Sequence, residues 1–214
     1  EIYTLSLHDA LPISTSNCVT REPGRPSVSP DDAGGAAAAL RHLADLGHRR
    51  VAMLGGHHSP ELPKTDSGNV SGPIRWRAFR AAAAEAGVEA RHVGRGWSIH
   101  DGHTAAMRVL DAPPSRRPTA LFAVCDRVAA GALLAAARLG VSVPEDLSII
   151  GFDDQEALAE SLVPPLTTVA LPHALMGQTA VELALAVARG ERPDPPRRVL
   201  PCPLVVRGST ARPR

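Results

Sequence analysis

The chain has 214 residues, enough for one large domain or two small ones, and its formal net charge at pH 7 is +1. This near-neutral charge gives no electrostatic argument for nucleic-acid binding by the chain as a whole. Apolar residues make up 44% of the sequence but aromatic residues only 3%, so we expect an aliphatic, alanine-rich core.

Elements of regular structure alternate along most of the chain, and glycine follows several of the helices, as at Gly47 and Gly87. In chain order we predict a helix at 31–46, a strand at 51–54, a helix at 74–86, a strand at 88–93, a helix at 98–110, a strand at 119–124, a helix at 126–139, a strand at 147–150, a helix at 172–189 and a strand at 199–207. This alternation predicts an α/β fold with a doubly wound parallel sheet.

The first fourteen residues differ in character from the rest and contain the only tyrosine, Tyr3. They look like translated sequencing-adapter sequence, so residues 1–14 are interpreted as non-native. A genuine N-terminal strand and helix is the alternative. On the first interpretation the chain is a truncated fragment.

The cysteines and apolar segments restrict the class of protein further. Cys18, Cys125 and Cys202 are odd in number and far apart, a pattern typical of a reducing cytosol, with neither a disulfide framework nor a metal-binding pair. No apolar run approaches the roughly 20 residues that a membrane span needs. We therefore predict a cytoplasmic protein without a membrane partner.

The strand at 147–150 leads to two carboxylates, Asp153 and Asp154, at its C-terminal end, where ligands bind in an open parallel sheet. A carboxylate there can accept hydrogen bonds from a polyol or a nucleobase, so Asp153 is predicted to contact a ligand. The alternative role is a cap on a short helix at Gln155–Glu160, which we assign to Asp154. Pro164-Pro165 then predicts an extended crossing.

Several short motifs follow one another in a fixed order along the chain. They are Asp31 to Gly35 with His42 to Val51, Arg75 to Phe79, Asp126 to Leu133, Val143 to Asp154, Pro164 to Val169, Gly177 to Ala180 and Leu204 to Thr210. Each motif is weak alone. Together they resemble the effector-binding domain of the LacI/GalR-type bacterial transcriptional regulators.

The resemblance implies a periplasmic-binding-protein-like clamshell of two α/β subdomains joined by three crossing strands. Residues 15–30 would be a remnant of the N-terminal subdomain with the first crossing, and 31–164 a nearly complete C-terminal effector-binding subdomain. Residues 165–190 would supply a crossing and a helix of the N-terminal subdomain, and 191–214 the return crossing, final strand and tail. Most of the N-terminal subdomain and the DNA-binding headpiece would be missing.

The function implied is effector sensing in a LacI-type repressor. A sugar-like effector would bind in the cleft between the subdomains and control operator binding by the missing helix-turn-helix, with a homodimer as the full-length form. A periplasmic sugar-binding protein of an ABC transporter is the alternative. The sequence contains no catalytic set or phosphate-binding loop, so we predict neither an enzyme nor a cofactor.

Four residues are predicted to line the effector site: Arg75, Trp97, Cys125 and Asp153. Arg75 matches the family position whose guanidinium reaches the cleft, and a planar fork suits a carboxylate or vicinal hydroxyls. Trp97 could stack on a sugar or a base, or else anchor the core. Cys125 stands where the family often has Asn, and its thiol is a weaker donor.

Two further groups of side chains receive no binding role. His100 and His103 could share a helix face, but a solvated helix surface is the favoured interpretation, so we predict no metal site. Five arginines lie between Arg197 and the C-terminus with no acid among them. This run predicts a solvated, partly disordered tail instead of a DNA-binding surface.

Overall fold

A computed structural model of the chain describes residues 14–15, 26–56, 70–113 and 116–214. Residues 1–13, which belong to the segment interpreted as non-native, and Cys18 lie outside the described residues. The described residues fall into two compact units. Unit 1 contains residues 14–15, 26–31, 70 and 172–201, and unit 2 contains 32–56, 71–113, 116–171 and 202–214.

The observed elements follow the predicted alternation of strands and helices. They are β1 (Ser14–Thr15), β2 (Ser27–Pro30), α1 (Asp32–Leu46), β3 (Arg50–Leu54), α2 (Ser71–Glu85), β4 (Glu89–Val93), α3 (Ile99–Leu110), β5 (Ala120–Ala123), α4 (Asp126–Arg138), β6 (Ser148–Asp153), β7 (Thr167–Ala170), α5 (His173–Ala188), β8 (Arg197–Leu200) and β9 (Leu204–Val205). None of these helices is long and apolar enough to cross a membrane.

Unit 2 is built on a six-stranded sheet in the order β4-β3-β5-β6-β7-β9. The first five strands are parallel, and β9 adds to β7 in the antiparallel direction. The helices pack in two pairs, α1 against α2 and α3 against α4. The predicted α/β class with a mostly parallel sheet is therefore confirmed.

The core of unit 2 is aliphatic and rich in alanine, with all four residues of β5 fully buried. The three phenylalanines form a row through this core. The ring centroids of Phe79 and Phe122 are 4.9 Å apart, and those of Phe122 and Phe152 are 6.3 Å apart. The row ends near the C-terminal end of β6, where Phe152 directly precedes the predicted ligand residue Asp153.

Two glycines allow α3 and α4 to pack closely. A Cβ at Gly102 would lie 2.1 Å from the carbonyl oxygen of Val128, and one at Gly131 would lie 2.0 Å from that of Ile99. Both clashes are with backbone atoms, which cannot rotate away as a side chain can. The two helices must therefore separate if either position gains a side chain.

Gly131→Ala is expected to lower the free energy of unfolding by about 1–3 kcal/mol, because overpacking outweighs the higher helix propensity of alanine. Gly177→Ala is the control, since a Cβ at this position in α5 meets nothing within 4 Å. Thermal unfolding followed by circular dichroism measures both. A Gly131→Ala variant as stable as the unchanged protein would contradict this account of the helix pair.

Unit 1 contains a three-stranded parallel sheet in the order β1-β2-β8, with α5 packed on it. The prediction of one final strand at 199–207 is wrong. Instead β8 lies in unit 1 and β9 in unit 2, because Pro201 and Pro203 cannot donate to a sheet ladder and interrupt the strand between them. The assignment of segments to family subdomains stays a prediction.

Residues 209–211 of the C-terminal segment are packed against unit 2, so the prediction of a solvated, partly disordered tail is wrong for them. Ser209 is fully buried, and its hydroxyl donates to the carbonyl oxygen of Ile149 at 2.5 Å and accepts from the Thr167 N–H at 2.8 Å. Two residues later, the Ala211 carbonyl oxygen lies 2.9 Å from Nε2 of the buried His48. Arginine spacing gave no sign of these contacts, which are made by a serine and by backbone atoms.

Candidate functional site

In the sheet of unit 2, β4 lies on one side of β3, whereas β5 and then β6 follow on its other side. The strand order therefore reverses between the carboxyl ends of β3 and β5. Open α/β sheets bind their ligands at such a point. Gly55 follows β3 with a φ of 80°. A Cβ there would lie 2.9 Å from the Gly96 carbonyl oxygen and 3.0 Å from Cγ1 of Val124, so only glycine fits.

Arg75 lies beneath this edge as a buried cation that is only 1% exposed. Its Nε and Nη2 both lie 2.7 Å from Oδ1 of Asp32, and its Nη1 donates to the carbonyl oxygen of Val124. Nη1 also lies 3.5 Å from Oδ1 of Asp153. The guanidinium carbon is 3.5 Å from the centroid of the Phe152 ring, a cation–π contact. Arg75 therefore links α1, α2, β6 and the residue that follows β5.

Asp153 is the partly accessible member of this group, with 30% of its side chain exposed at the end of β6. Burial raises the pKa of its carboxyl group to about 6, although the neighbouring Arg75 acts in the opposite direction. Its φ of 115° is rare for any residue other than glycine. Backbone strain of this kind is concentrated at functional sites, so it supports a role for Asp153 in binding.

Asp126 is a second buried carboxylate at this edge, and the sequence interpretation missed its role. It accepts hydrogen bonds from the Thr168 hydroxyl at 2.6 Å and from the Gln155 N–H at 2.7 Å. Burial raises the pKa of this carboxyl group to about 6 as well. A Cβ at Gly151 would lie 2.2 Å from its Oδ1, so the glycine in β6 makes room for it.

The predicted cap on a helix at Gln155–Glu160 is wrong. This segment forms hydrogen-bonded turns, and Asp126 accepts from the Gln155 N–H. The Asp154 side chain instead forms an ion pair with Nη1 of Arg207 at 2.8 Å. Sequence proximity favoured Asp154 as the cap, whereas the actual acceptor lies 29 positions away in the chain.

Trp97 and Cys125 contact each other across the same edge. The Cys125 Sγ donates to the carbonyl oxygen of Trp97 at 3.5 Å, and the thiol is buried. Burial raises the pKa of this thiol, so it stays protonated and can act as a donor. The Trp97 side chain is half-buried, before a capping box in which Ser98 and Asp101 begin α3. Cys125 thus adds one contact to the turn that carries the indole, which the capping box also holds.

The four predicted site residues therefore come together as two neighbouring pairs, Arg75 with Asp153 and Trp97 with Cys125. Val124 connects the pairs, since its carbonyl oxygen accepts from Arg75 and it directly precedes Cys125. Their contact with a ligand stays a prediction. The described part of the chain contains no group of three His, Cys, Asp or Glu residues arranged to hold a metal ion.

Comparison with known proteins identifies the family. Residues 40–210 match the model of the periplasmic binding protein-like domain. The chain is 40% identical to the HTH-type transcriptional regulator DegA of Bacillus subtilis over 184 residues, which are 85% of this chain and 51% of DegA. The chain thus spans about half the length of this curated relative.

Solved structures agree with this assignment. A LacI family transcriptional regulator from Enterococcus faecium with bound ribose is 27% identical, with a TM-score of 0.78 over 94% of this chain and 71% of that one. A dimeric Lac repressor with a C-terminal deletion is 28% identical, with a TM-score of 0.78 over 94% and 69%. The chain belongs to the LacI family of transcriptional regulators and contains its periplasmic-binding-protein-like effector domain.

Proposed function

We propose that this chain is the effector-sensing part of a transcriptional regulator, and that the carboxyl edge of unit 2 binds a small sugar-like molecule. The observation that carries this proposal is Asp153, a partly accessible carboxylate held with a positive φ at the end of β6. It can accept hydrogen bonds from the hydroxyl groups of a polyol. The relative from Enterococcus faecium has bound ribose, which supports ligand chemistry of this class.

The other three site residues have distinct roles in this proposal. Arg75 is almost completely buried and directs its N–H groups at Asp32 and Val124, so it positions Asp153 from below. Trp97 packs against the core and is half-buried, and the part of its indole that stays accessible would contact the carbon–hydrogen face of a sugar ring. Cys125 holds the Trp97 turn through its thiol and has no catalytic role, because a buried thiol with a raised pKa is a poor nucleophile.

In the whole regulator, effector binding would stabilise one conformation of this domain and so change the affinity for operator DNA. Operator DNA, bound through a helix-turn-helix, and a second copy of the regulator are the proposed partners. The regulatory names of the relatives support this function over that of a periplasmic sugar-binding protein. The dimeric Lac repressor supports the homodimer. We place the regulator in the cytoplasm, together with its operator.

A thermal-shift screen tests this proposal. The 214-residue chain is heated with ribose, other neutral pentoses and hexoses, and nucleosides, each at a series of millimolar concentrations. A ligand that binds only the folded state raises Tm in proportion to the logarithm of its concentration once the site is saturated. We expect at least one neutral member to do so. If none of these compounds raises Tm, the proposed ligand class is wrong.

A further inference from the structure

A surface cavity of about 460 Å³ lies between α3 and the turn that follows β4. His100, Thr104 and Arg108 line it from α3, and their spacing of four residues places them on one face of the helix. Gly94 and Arg95 line it from the turn. Gly94 has a φ of 79°, and a Cβ there would lie 2.7 Å from that of Ala105, so the turn lies directly on the helix.

The cavity contains two arginines whose charges are not paired within the described residues. Arg95 and Arg108 are both exposed, and neither guanidinium group forms an ion pair or a hydrogen bond in the part of the chain that the structure describes. By contrast, Arg75 and Arg207 have carboxylate partners within 3 Å. Two unpaired guanidinium groups beside one cavity form a set of donors suited to an oxyanion.

The one acidic residue in the lining, Asp101, is occupied by the capping box of α3. Its Oδ2 accepts from the Ser98 hydroxyl at 2.6 Å and from the N–H groups of Ser98 and Trp97 at 2.9 and 3.1 Å. Both carboxylate oxygens also lie against Gly96, since a Cβ there would be 2.2 and 2.7 Å from them. These contacts hold Asp101 against the Gly96–Ser98 turn. Because the lining contains two arginines and one aspartate, the cavity has an excess of positive charge.

We infer that this cavity is a second ligand site, which binds the phosphate group of a small metabolite. Arg95 and Arg108 would supply charge-assisted hydrogen bonds to the phosphate oxygens, with His100 and Thr104 as further polar partners. The volume lies within the range of small-molecule sites, so a sugar phosphate fits as well as inorganic phosphate. None of the four proposed effector residues lines this cavity, and the inference does not depend on the proposed effector site.

The test is a titration of the 214-residue chain with inorganic phosphate and, separately, with ribose phosphate, followed through backbone amide chemical shifts in a low-salt buffer that contains no other oxyanion. We expect saturable shifts at Gly94, Arg95 and Thr104 with both compounds. Tighter binding of ribose phosphate would assign the organic part a contact in the cavity. Similar affinities would identify the phosphate group alone as the ligand feature. The R95A/R108A double variant should bind at least about tenfold more weakly, because it loses both charge-assisted donors.

R77A/R80A is the matched control, because it removes the same charge from two exposed positions on α2. It should bind phosphate as the unchanged protein does. If the two double variants bound phosphate equally weakly, the loss of affinity would come from overall charge and the inference would be overturned. The absence of saturable shifts in the unchanged protein would overturn it as well. D153N should leave the phosphate titration unaltered, so failure of the effector proposal is distinguishable from failure of this one.

Discussion

Arg75→Ala is expected to lower the free energy of unfolding by about 3–5 kcal/mol, the usual cost of removing one member of a buried ion pair. The substitution leaves the carboxylate of Asp32, which is only 6% exposed, without its cation. It also removes the cation–π contact with Phe152 and the hydrogen bond to the Val124 carbonyl group. Urea unfolding followed by tryptophan fluorescence measures the effect, because Trp76 and Trp97 both lie in unit 2.

Arg77→Ala is the control for this prediction, since Arg77 is exposed on the same helix. It should change the free energy of unfolding by less than about 0.5 kcal/mol. In an Asp32→Leu background, Arg75→Met should lower the free energy of unfolding by less than Arg75→Ala does alone. The carboxylate of Asp32 is then absent and is not left buried without its cation. A loss below about 1 kcal/mol for Arg75→Ala would place the arginine in solvent and contradict the structure.

Asp153→Asn is expected to stabilise the protein at pH 7 by about 1–2 kcal/mol, a value reduced to allow for the partial exposure of the side chain. Burial raises the pKa of this carboxyl group to about 6 in the folded protein, from 3.8. The folded state therefore binds the proton more tightly than the unfolded state, and ionisation destabilises the fold. The stability that the protonated carboxyl group contributes is fully present below about pH 4 and is lost as the pH rises through about 6.

The comparison of D153N with the unchanged protein should therefore show a difference in the free energy of unfolding that grows between pH 4 and pH 6. Asparagine tolerates a positive φ, so the substitution adds little backbone strain. Asp154→Asn is the control with the opposite sign, because it removes the ion pair with Arg207 and should destabilise slightly. A D153N variant less stable than the unchanged protein at pH 7 would show that the Arg75 pair outweighs the cost of burial.

Much of the fold could be predicted because its signals are local. Periodic apolar residues and glycine-ended helices located the main strands and helices of unit 2, since each depends on residues within one or two turns. The C-terminal segment could not be predicted in the same way. Ser209 joins β6 to β7 through hydrogen bonds to Ile149 and Thr167, which lie 60 and 42 positions away. A serine in a polar segment gives no local sign of such contacts.

The candidate site shows the same division. Asp153 was located because a carboxylate directly follows a buried strand, and its accessible position agrees with the structure. The burial of Arg75 was missed, because its partners Asp32 and Phe152 lie on other elements. Asp126 was assigned only to the start of a helix, since its contacts with Thr168 and Gln155 depend on how three segments meet.

Calorimetric titration of D153N tests the central claim most directly. The probe is the neutral sugar or nucleoside that gives the largest shift in the thermal screen, beginning with ribose, at pH 7. The account predicts that D153N binds it at least about tenfold more weakly, through loss of charge-assisted hydrogen bonds, although the variant is more stable. D154N should bind as the unchanged protein does. Unchanged affinity in D153N would contradict the claim that Asp153 is the polar centre of an effector site.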